Sequence, residues 1–162
     1  MLADVASTIS YHDMKTSILP LLADLSLDAE PAVKQQLVEQ LARLSNICIT
    51  NGGEEGHNYV VDTIIPIIGQ LLEDEKAEVR QAATTTLVEI AFLLSNQQKG
   101  DEHLGQNHPL EVVLTMVLRL AHDDEREEMR MTAVELYNSL AECLGQDLCK
   151  QFIIPEVVSL AE

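Results

Sequence analysis

The sequence predicts an all-α, right-handed solenoid of antiparallel helix pairs: three repeats and part of a fourth. Three observations lead there. Apolar residues recur at helical spacing along nearly the whole chain. The 162 residues are 46% hydrophobic but hold only two Phe, three Tyr and no Trp, so the core is expected to be Leu, Ile, Val and Ala packed helix on helix. An apolar run also ends three times in an Asp that is followed, six residues on, by a basic residue next to a hydrophobic one: Asp28 to Val33-Lys34, Asp74 to Val79-Arg80, Asp124 to Met129-Arg130. A unit that cannot bury its apolar side alone must stack on a neighbour, and such a stack offers extended surface for binding other proteins.

The elements follow in order. Ile18, Leu21, Leu22 and Leu25 define a first helix, the DAEP segment a turn, and Val33, Leu37, Leu41, Leu44 and Cys48 a second helix. Pro31 suits the first turn of that second helix, where its missing N–H has no intrahelical partner to lose. Residues 50–58, TNGGEEGHN, read as a glycine-rich connection. The second pair carries Val61, Ile64, Ile65, Ile68, Leu71 and Leu72, a turn at Asp74-Glu75-Lys76, then Val79, Ala83, Leu87, Ile90 and Leu94. The small Ala82-Ala83 pair allows close helix approach. The polar stretch Ser95 to His108 is long for a helix–helix connection. In the third pair Val113, Val117 and Leu120 precede Asp123-Asp124, and Met129, Ala133, Leu136, Tyr137, Leu140 and Leu144 follow. The repeats are thus expected at about 11–50, 58–95 and 108–146, with a partial unit at 150–162, in one domain spanning 1–162. The last unit leaves Ile153, Ile154, Val157, Val158 and Leu160 without a covering helix, so the chain reads as a fragment of a longer solenoid whose open end favours self-association.

Charge narrows the partners. The formal net charge is −17, with 27 acidic residues against 10 basic ones, which repels phosphate backbones and anionic lipid and disfavours nucleic acid and membrane surfaces. The acid is densest after residue 100, where a basic protein surface would find its strongest attraction. Cys48, Cys143 and Cys149 form no CxxC pair, so neither a disulfide framework nor a zinc module is expected, and reduced thiols suit a cytoplasmic or nuclear protein. No leader or membrane-length apolar run stands out.

The segment IIPIIGQLLEDEKAEVRQAATTTLVEIA, residues 64–91, resembles a HEAT repeat (a member of the HEAT/armadillo-like group), with a Pro in the first helix, an Asp at its end and Val-Arg early in the second. The same frame covers residues 18–44 and roughly 113–140. A mid-helix Pro removes a backbone hydrogen bond and costs about 3 kcal/mol in a straight helix, so Pro20, Pro66 and Pro155 are expected to kink theirs. Thr115 replaces the Pro in the third copy, which also has one extra residue before Arg130; its first helix is expected to be straighter. The resemblance implies a ladder of Asp28/Lys34, Asp74/Arg80 and Asp124/Arg130 that joins stacked repeats, or alternatively touches a partner. Lys34, a point charge without the planar fork of Arg, is expected to make the weaker rung.

Within that group the 18–44 and 64–91 segments, with CLGQDLCKQFIIPEVVSL at 143–160, look most like scaffold and regulatory subunits of 2A/4-type Ser/Thr protein phosphatases. The resemblance implies a non-catalytic subunit that holds a catalytic subunit through the turns inside each pair; here the partner-binding candidates are Asp28, Glu30, Glu75, Lys76, Glu125 and Arg126. No nucleophile elbow, P-loop or HExxH is present, and the His-Glu dyads of a HEAT-like iron hydroxylase are missing, with only the reversed Glu102-His103. No cofactor or metal is expected: His122-Asp123-Asp124 falls in a turn that the repeat frame already explains, and His57, His103 and His108 lie in expected connections. The rival reading is an importin-like adaptor that captures basic cargo on second-helix side chains such as Gln36, Glu39, Gln40, Glu89, Glu135 and Glu142.

Overall fold

In a computed structural model of the chain, residues 2–97, 109–155 and 158 are described, and every regular element among them is helical. The order is α1 (Leu2–Ala6), α2 (Tyr11–Ser17), α3 (Leu19–Ser26), α4 (Pro31–Tyr59), a π-helical turn (Val60–Ile64), α5 (Ile65–Leu72), α6 (Ala77–Gln97), α7 (Pro109–Ala121), α8 (Glu127–Leu148) and a second π-helical turn (Cys149–Ile153). Packing divides the chain into two compact units, Met1–Ile90 and Ala91–Glu162.

The first unit is built on two helix pairs. Leu37, Val38, Leu41, Leu44, Ser45 and Cys48 of α4 are buried, as are Ile65, Ile68, Leu71 and Leu72 of α5 and Val79, Ala83, Leu87 and Ile90 of α6. Each such aliphatic side chain removed from water contributes about 1.5–3 kcal/mol. The Thr86 hydroxyl, itself buried, donates to the Val38 carbonyl at 3.2 Å and so bonds α6 directly to the backbone of α4. In the second unit α7 buries Leu110, Val113, Leu114, Val117 and Leu120, and α8 buries Met129, Ala133, Leu136, Tyr137 and Leu140.

The connection expected at residues 50–58 is tighter than a loop. Two helical segments of α4 meet there at a kink, with non-helical backbone at Gly53, at φ 54° and ψ −134°. This is backbone that an L side chain rarely adopts. Three residues on, the backbone of Gly56 lies so close to the Cys48 carbonyl that a Cβ would sit 1.8 Å from its oxygen. The glycines therefore let the chain fold back on itself within a helical segment. His57, expected in a connection, lies on that helix; His103 and His108, like Glu102, lie outside the described residues.

The prolines follow local disturbances of the helical hydrogen bonding, while the backbone at Ile18, Ile64 and Ile65 stays in the right-handed helical region. Helix α2 ends at Ser17 and α3 restarts at Leu19 with Pro20 in its first turn. Pro66 sits two residues beyond the first π-helical turn, in which Ile65 N–H reaches back to Val60 O. Pro155 stands at the same offset from the second such turn. Pro has no N–H and its ring crowds the carbonyl four residues back, so a widened turn ahead of it relieves both problems. The buried stripe keeps a four-residue spacing across Pro20, through Met14, Ile18, Leu22 and Ser26, and leaves Leu21 45% exposed. Helix α7, with Thr115 in place of Pro, is unbroken, and the Thr115 hydroxyl donates to Glu111 O at 2.8 Å.

Of the polar stretch Ser95–His108, residues 95–97 belong to α6 and 98–108 lie outside the described residues. At the C-terminal end Ile153 is buried while Ile154 and Val158 are more than half exposed; Val157 and Leu160 lie outside the described residues, as do the side chains of Cys143 and Leu144.

Cys48 is fully buried, and that burial pushes its thiol up to about 12. Only about one molecule in 10⁴ then carries a thiolate at pH 8. Cys149 is partly exposed. Iodoacetamide at pH 8 is expected to label Cys149 readily and Cys48 only after denaturation, as read by peptide mass spectrometry. Comparable labelling of Cys48 in the folded chain would contradict the packing described for α4.

Candidate protein-interaction site

Each helix pair turns on the same hydrogen-bonded device. Asp28 Oδ1 accepts from Glu30 N at 2.8 Å, and Asp74 Oδ1 accepts from Lys76 N at 2.9 Å. Glu30 and Lys76 then accept the first backbone bonds of α4 and α6. In the third turn this role falls to Asp123, whose Oδ1 accepts from Glu125 N at 3.1 Å and Arg126 N at 2.8 Å. Asp124, the residue that the six-residue spacing selects, is exposed. The extra residue of the third copy lies inside the turn, so the carboxylate that organises it stands seven residues before Arg130. Counting could not separate two adjacent aspartates; the hydrogen bonds do.

Two of the basic residues close their turns from the other side. Arg80 Nη1 donates to Asp74 O at 2.8 Å and Glu75 O at 3.1 Å, and Arg130 Nη1 donates to Asp123 O at 2.7 Å. These carbonyls follow the end of the preceding helix and lack intrahelical donors. Lys34 acts differently. Its ammonium goes to Asp74 Oδ2 of the following pair at 2.6 Å and not to Asp28, with the two side chains 19% and 9% exposed. The ion pair between successive pairs in this unit therefore runs through the lysine, the rung expected to be weaker, alongside the Thr86–Val38 hydrogen bond. Burial alone would raise the Asp74 carboxyl, but the Lys34 hydrogen bond, the Lys76 N–H and the charges of Lys34 and Arg80 together hold it below the ordinary carboxylate range.

The six partner-binding candidates divide by what they already do. Asp28 is committed to its turn. Arg126 grips Asp123 through Nε at 3.0 Å and Nη2 at 2.7 Å, which with the backbone bonds holds the Asp123 carboxyl low. Glu30, Glu75, Lys76 and Glu125 present exposed side chains at the turns.

The second helices of the first unit form a different surface. Between α4 and α6 lies an open groove of about 540 Å³ walled by Gln35 and Glu39 on one side and Ala77, Glu78, Gln81, Ala82, Thr85 and Glu89 on the other, with Thr86 beneath. Of the second-helix candidates, Glu39 and Glu89 line it. The Gln36 amide donates to Glu39 at 3.0 Å, and Gln40 accepts weakly from Ala3 N at 3.4 Å. Glu135 and Glu142 are exposed on α8 in the second unit. There the side chains Met131 and Val134, 60% and 48% exposed, line a concavity of about 470 Å³ with Glu127, Arg130 and Glu135. The position that follows Lys34 and Arg80 carries Gln35 and Gln81, whereas the one that follows Arg130 carries Met131; that alignment of the three frames was the available signal for both surfaces.

Among the described residues no group of three or more His, Cys, Asp or Glu side chains is placed to hold a metal ion, and no helix is long and apolar enough to cross a membrane.

Comparison with known proteins agrees with this architecture. The HEAT repeat family model matches residues 64–94, which span α5, the second turn and most of α6, so the chain carries a HEAT repeat. It is similar to serine/threonine-protein phosphatase 4 regulatory subunit 1 of Homo sapiens and of Mus musculus, at 23% identity over 140 residues each, and of Rattus norvegicus, at 24% over 139 residues. These alignments cover 86% of this chain, and the chain spans 14% of the length of the curated relatives it matches.

Proposed function

We propose that this chain is a non-catalytic scaffold segment that associates with the catalytic subunit of a Ser/Thr protein phosphatase, acting in the cytoplasm or nucleus. The observation that carries this reading is the similarity to phosphatase 4 regulatory subunit 1 along 86% of the chain. Its mechanism is positional: holding an enzyme near its substrate raises local concentration and needs no reacting group on the scaffold. The contact surface in this reading is the row of turns. The Asp and Arg side chains fix the backbone there, leaving Glu30, Glu75, Lys76 and Glu125 free to meet a partner.

The test is co-purification of the chain with 2A-type and 4-type catalytic subunits, using Glu75→Lys and Glu125→Lys singly and together. Arg126 is left alone, because its guanidinium holds the Asp123 turn and reversing it would disturb folding. We expect binding to the wild-type chain and a loss of about tenfold or more in the double variant, with helicity unchanged by circular dichroism. Binding that survives both reversals would remove the turns from the contact. No binding of either subunit would remove the phosphatase reading for this segment.

A further inference from the structure

Asn51 and Gly52 form a reactive pair outside both surfaces described above. Of the six Asn in the chain, Asn51 is the one followed by Gly. That order matters because the backbone nitrogen of the next residue can add to the Asn side-chain carbonyl and close a five-membered ring, and a Gly there puts no Cβ in the way. Asn51 is exposed. It stands in the last turn of the first helical segment of α4, two residues before the non-helical backbone at Gly53. The carbonyls of a last turn have no partner within the helix, so fraying begins there.

The fold covers this pair with α2. A Cβ on Gly52 would lie 2.6 Å from Cε2 and Cζ of Tyr11, so the phenol ring lies directly against the Gly52 backbone. Helix α2 also meets α4 through the Lys15–Glu55 ion pair. Both attachments are weak. The two charged side chains are 48% and 60% exposed, so water and salt screen them. The buried Tyr11 hydroxyl has no hydrogen-bond partner among the described residues, and lifting the ring away lets it bond to water. A seven-residue helix has no stability of its own once undocked. While α2 stays in place, Asn51 and Gly52 keep helical backbone. The Gly52 N–H then belongs to the helical ladder, and the ring cannot close.

We propose that Asn51 is a site of spontaneous deamidation gated by α2: undocking of α2 frees the Gly52 nitrogen, and the products keep α2 from docking again. Gly52 N adds to Asn51 Cγ and gives up its proton to solvent; the Cγ–Nδ2 bond breaks and the amide leaves as ammonia. Water then opens the resulting succinimide. Opening at Cγ leaves Asp at position 51 on the original backbone, and opening at the backbone carbonyl leaves isoaspartate, with the chain running through Cγ. No electrons are transferred, and water is the only other reactant. Either product puts a carboxylate at the negative end of a helical segment, three residues before Glu54. Isoaspartate also lengthens the backbone by one carbon, which moves Gly52 from under the Tyr11 ring. This chemistry is independent of the phosphatase reading and is measured without a partner present.

The experiment incubates the full chain at pH 8, folded and in guanidinium chloride, and follows Asn51 by peptide mass spectrometry as the mass gained when NH2 is replaced by OH. Asn58, on the same helix but followed by Tyr, sets the background. We expect conversion at Asn51 about tenfold slower in the folded chain than in denaturant, and about threefold or more faster in Tyr11→Ala than in the wild type. Lys15→Ala removes the exposed ion pair without touching the core and is expected to act in the same direction; circular dichroism checks that both variants stay folded. In the converted chain the amides of α2 are expected to exchange hydrogen faster than before. Equal rates in the folded and denatured wild type, no acceleration in the folded variants, or no conversion in the folded chain while the denatured one converts would each overturn the proposal. Unchanged exchange of α2 after conversion would overturn it as well.

Discussion

Gly56→Ala is expected to destabilise the chain by at least about 3 kcal/mol, because its new methyl would have to occupy space held by backbone. The Cβ would lie 1.8 Å from the Cys48 carbonyl oxygen and 2.6 Å from its carbon. A side chain in the way could rotate; a helix carbonyl whose neighbours Leu44, Ser45 and Ile49 are all buried can move only by displacing α4. At this chain length such a loss corresponds to a fall of roughly 6–12 °C in melting temperature. Gly53→Ala separates packing from backbone strain. Nothing lies within 4 Å of its Cβ position, but the residue is at φ 54°, so the expected loss is only about 1–2 kcal/mol. Urea unfolding of both variants checks the order. A Gly56→Ala loss below about 0.5 kcal/mol, or a larger loss at Gly53 than at Gly56, would show that the close approach to Cys48 is not what shapes this segment.

The second large effect is expected at the Lys34–Asp74 pair. Removing one partner of a mostly buried ion pair leaves the other desolvated and unsatisfied, at a cost of about 1–3 kcal/mol. Asp74→Asn keeps an oxygen that can accept from Lys76 N–H, so it isolates the charge from the capping bond; Lys34→Met keeps much of the apolar stem. The double-mutant cycle is expected to give a coupling energy of about 1–2 kcal/mol at pH 7, and additivity within about 0.5 kcal/mol would mean that the pair adds nothing. The pH dependence has a fixed sign. The folded-state carboxyl of Asp74 is held below its unfolded value, so its contribution is present in full above the unfolded pKa of about 3.9. It is lost as pH falls through the lower, folded value. The stability difference between wild type and Asp74→Asn should therefore be flat from about pH 6 to 8 and shrink in acid. A difference that grows as pH falls below 4 would contradict the assignment.

Much of the architecture was legible before any coordinates. Val79, Ala83, Leu87, Ile90 and Leu94 were placed on one face of a helix by spacing alone, and all are fully buried. Period and burial agree there because the helix is uninterrupted and its neighbours are apolar. The reading was less exact at the edges of the apolar stripe. Leu21 kept the helical spacing of Ile18 and Leu25, but the buried positions run Met14, Ile18, Leu22 and Ser26, which leaves Leu21 exposed. The glycine cluster at 52–56 carries the composition of a loop, yet two of its members serve a sharp turn and a close contact inside a helical segment.

The turns show the same division. The sequence by itself determined that the chain is all-α and that it turns at three recurring Asp positions, since those properties follow from local periodicity and local turn chemistry. Only the tertiary structure decided that Asp123 rather than Asp124 organises the third turn, that Lys34 reaches across forty residues to Asp74, and that α4 and α6 enclose a groove. Each of these depends on the direction of a side chain and on the distance between segments remote in sequence, and neither quantity is encoded in residue spacing along one helix.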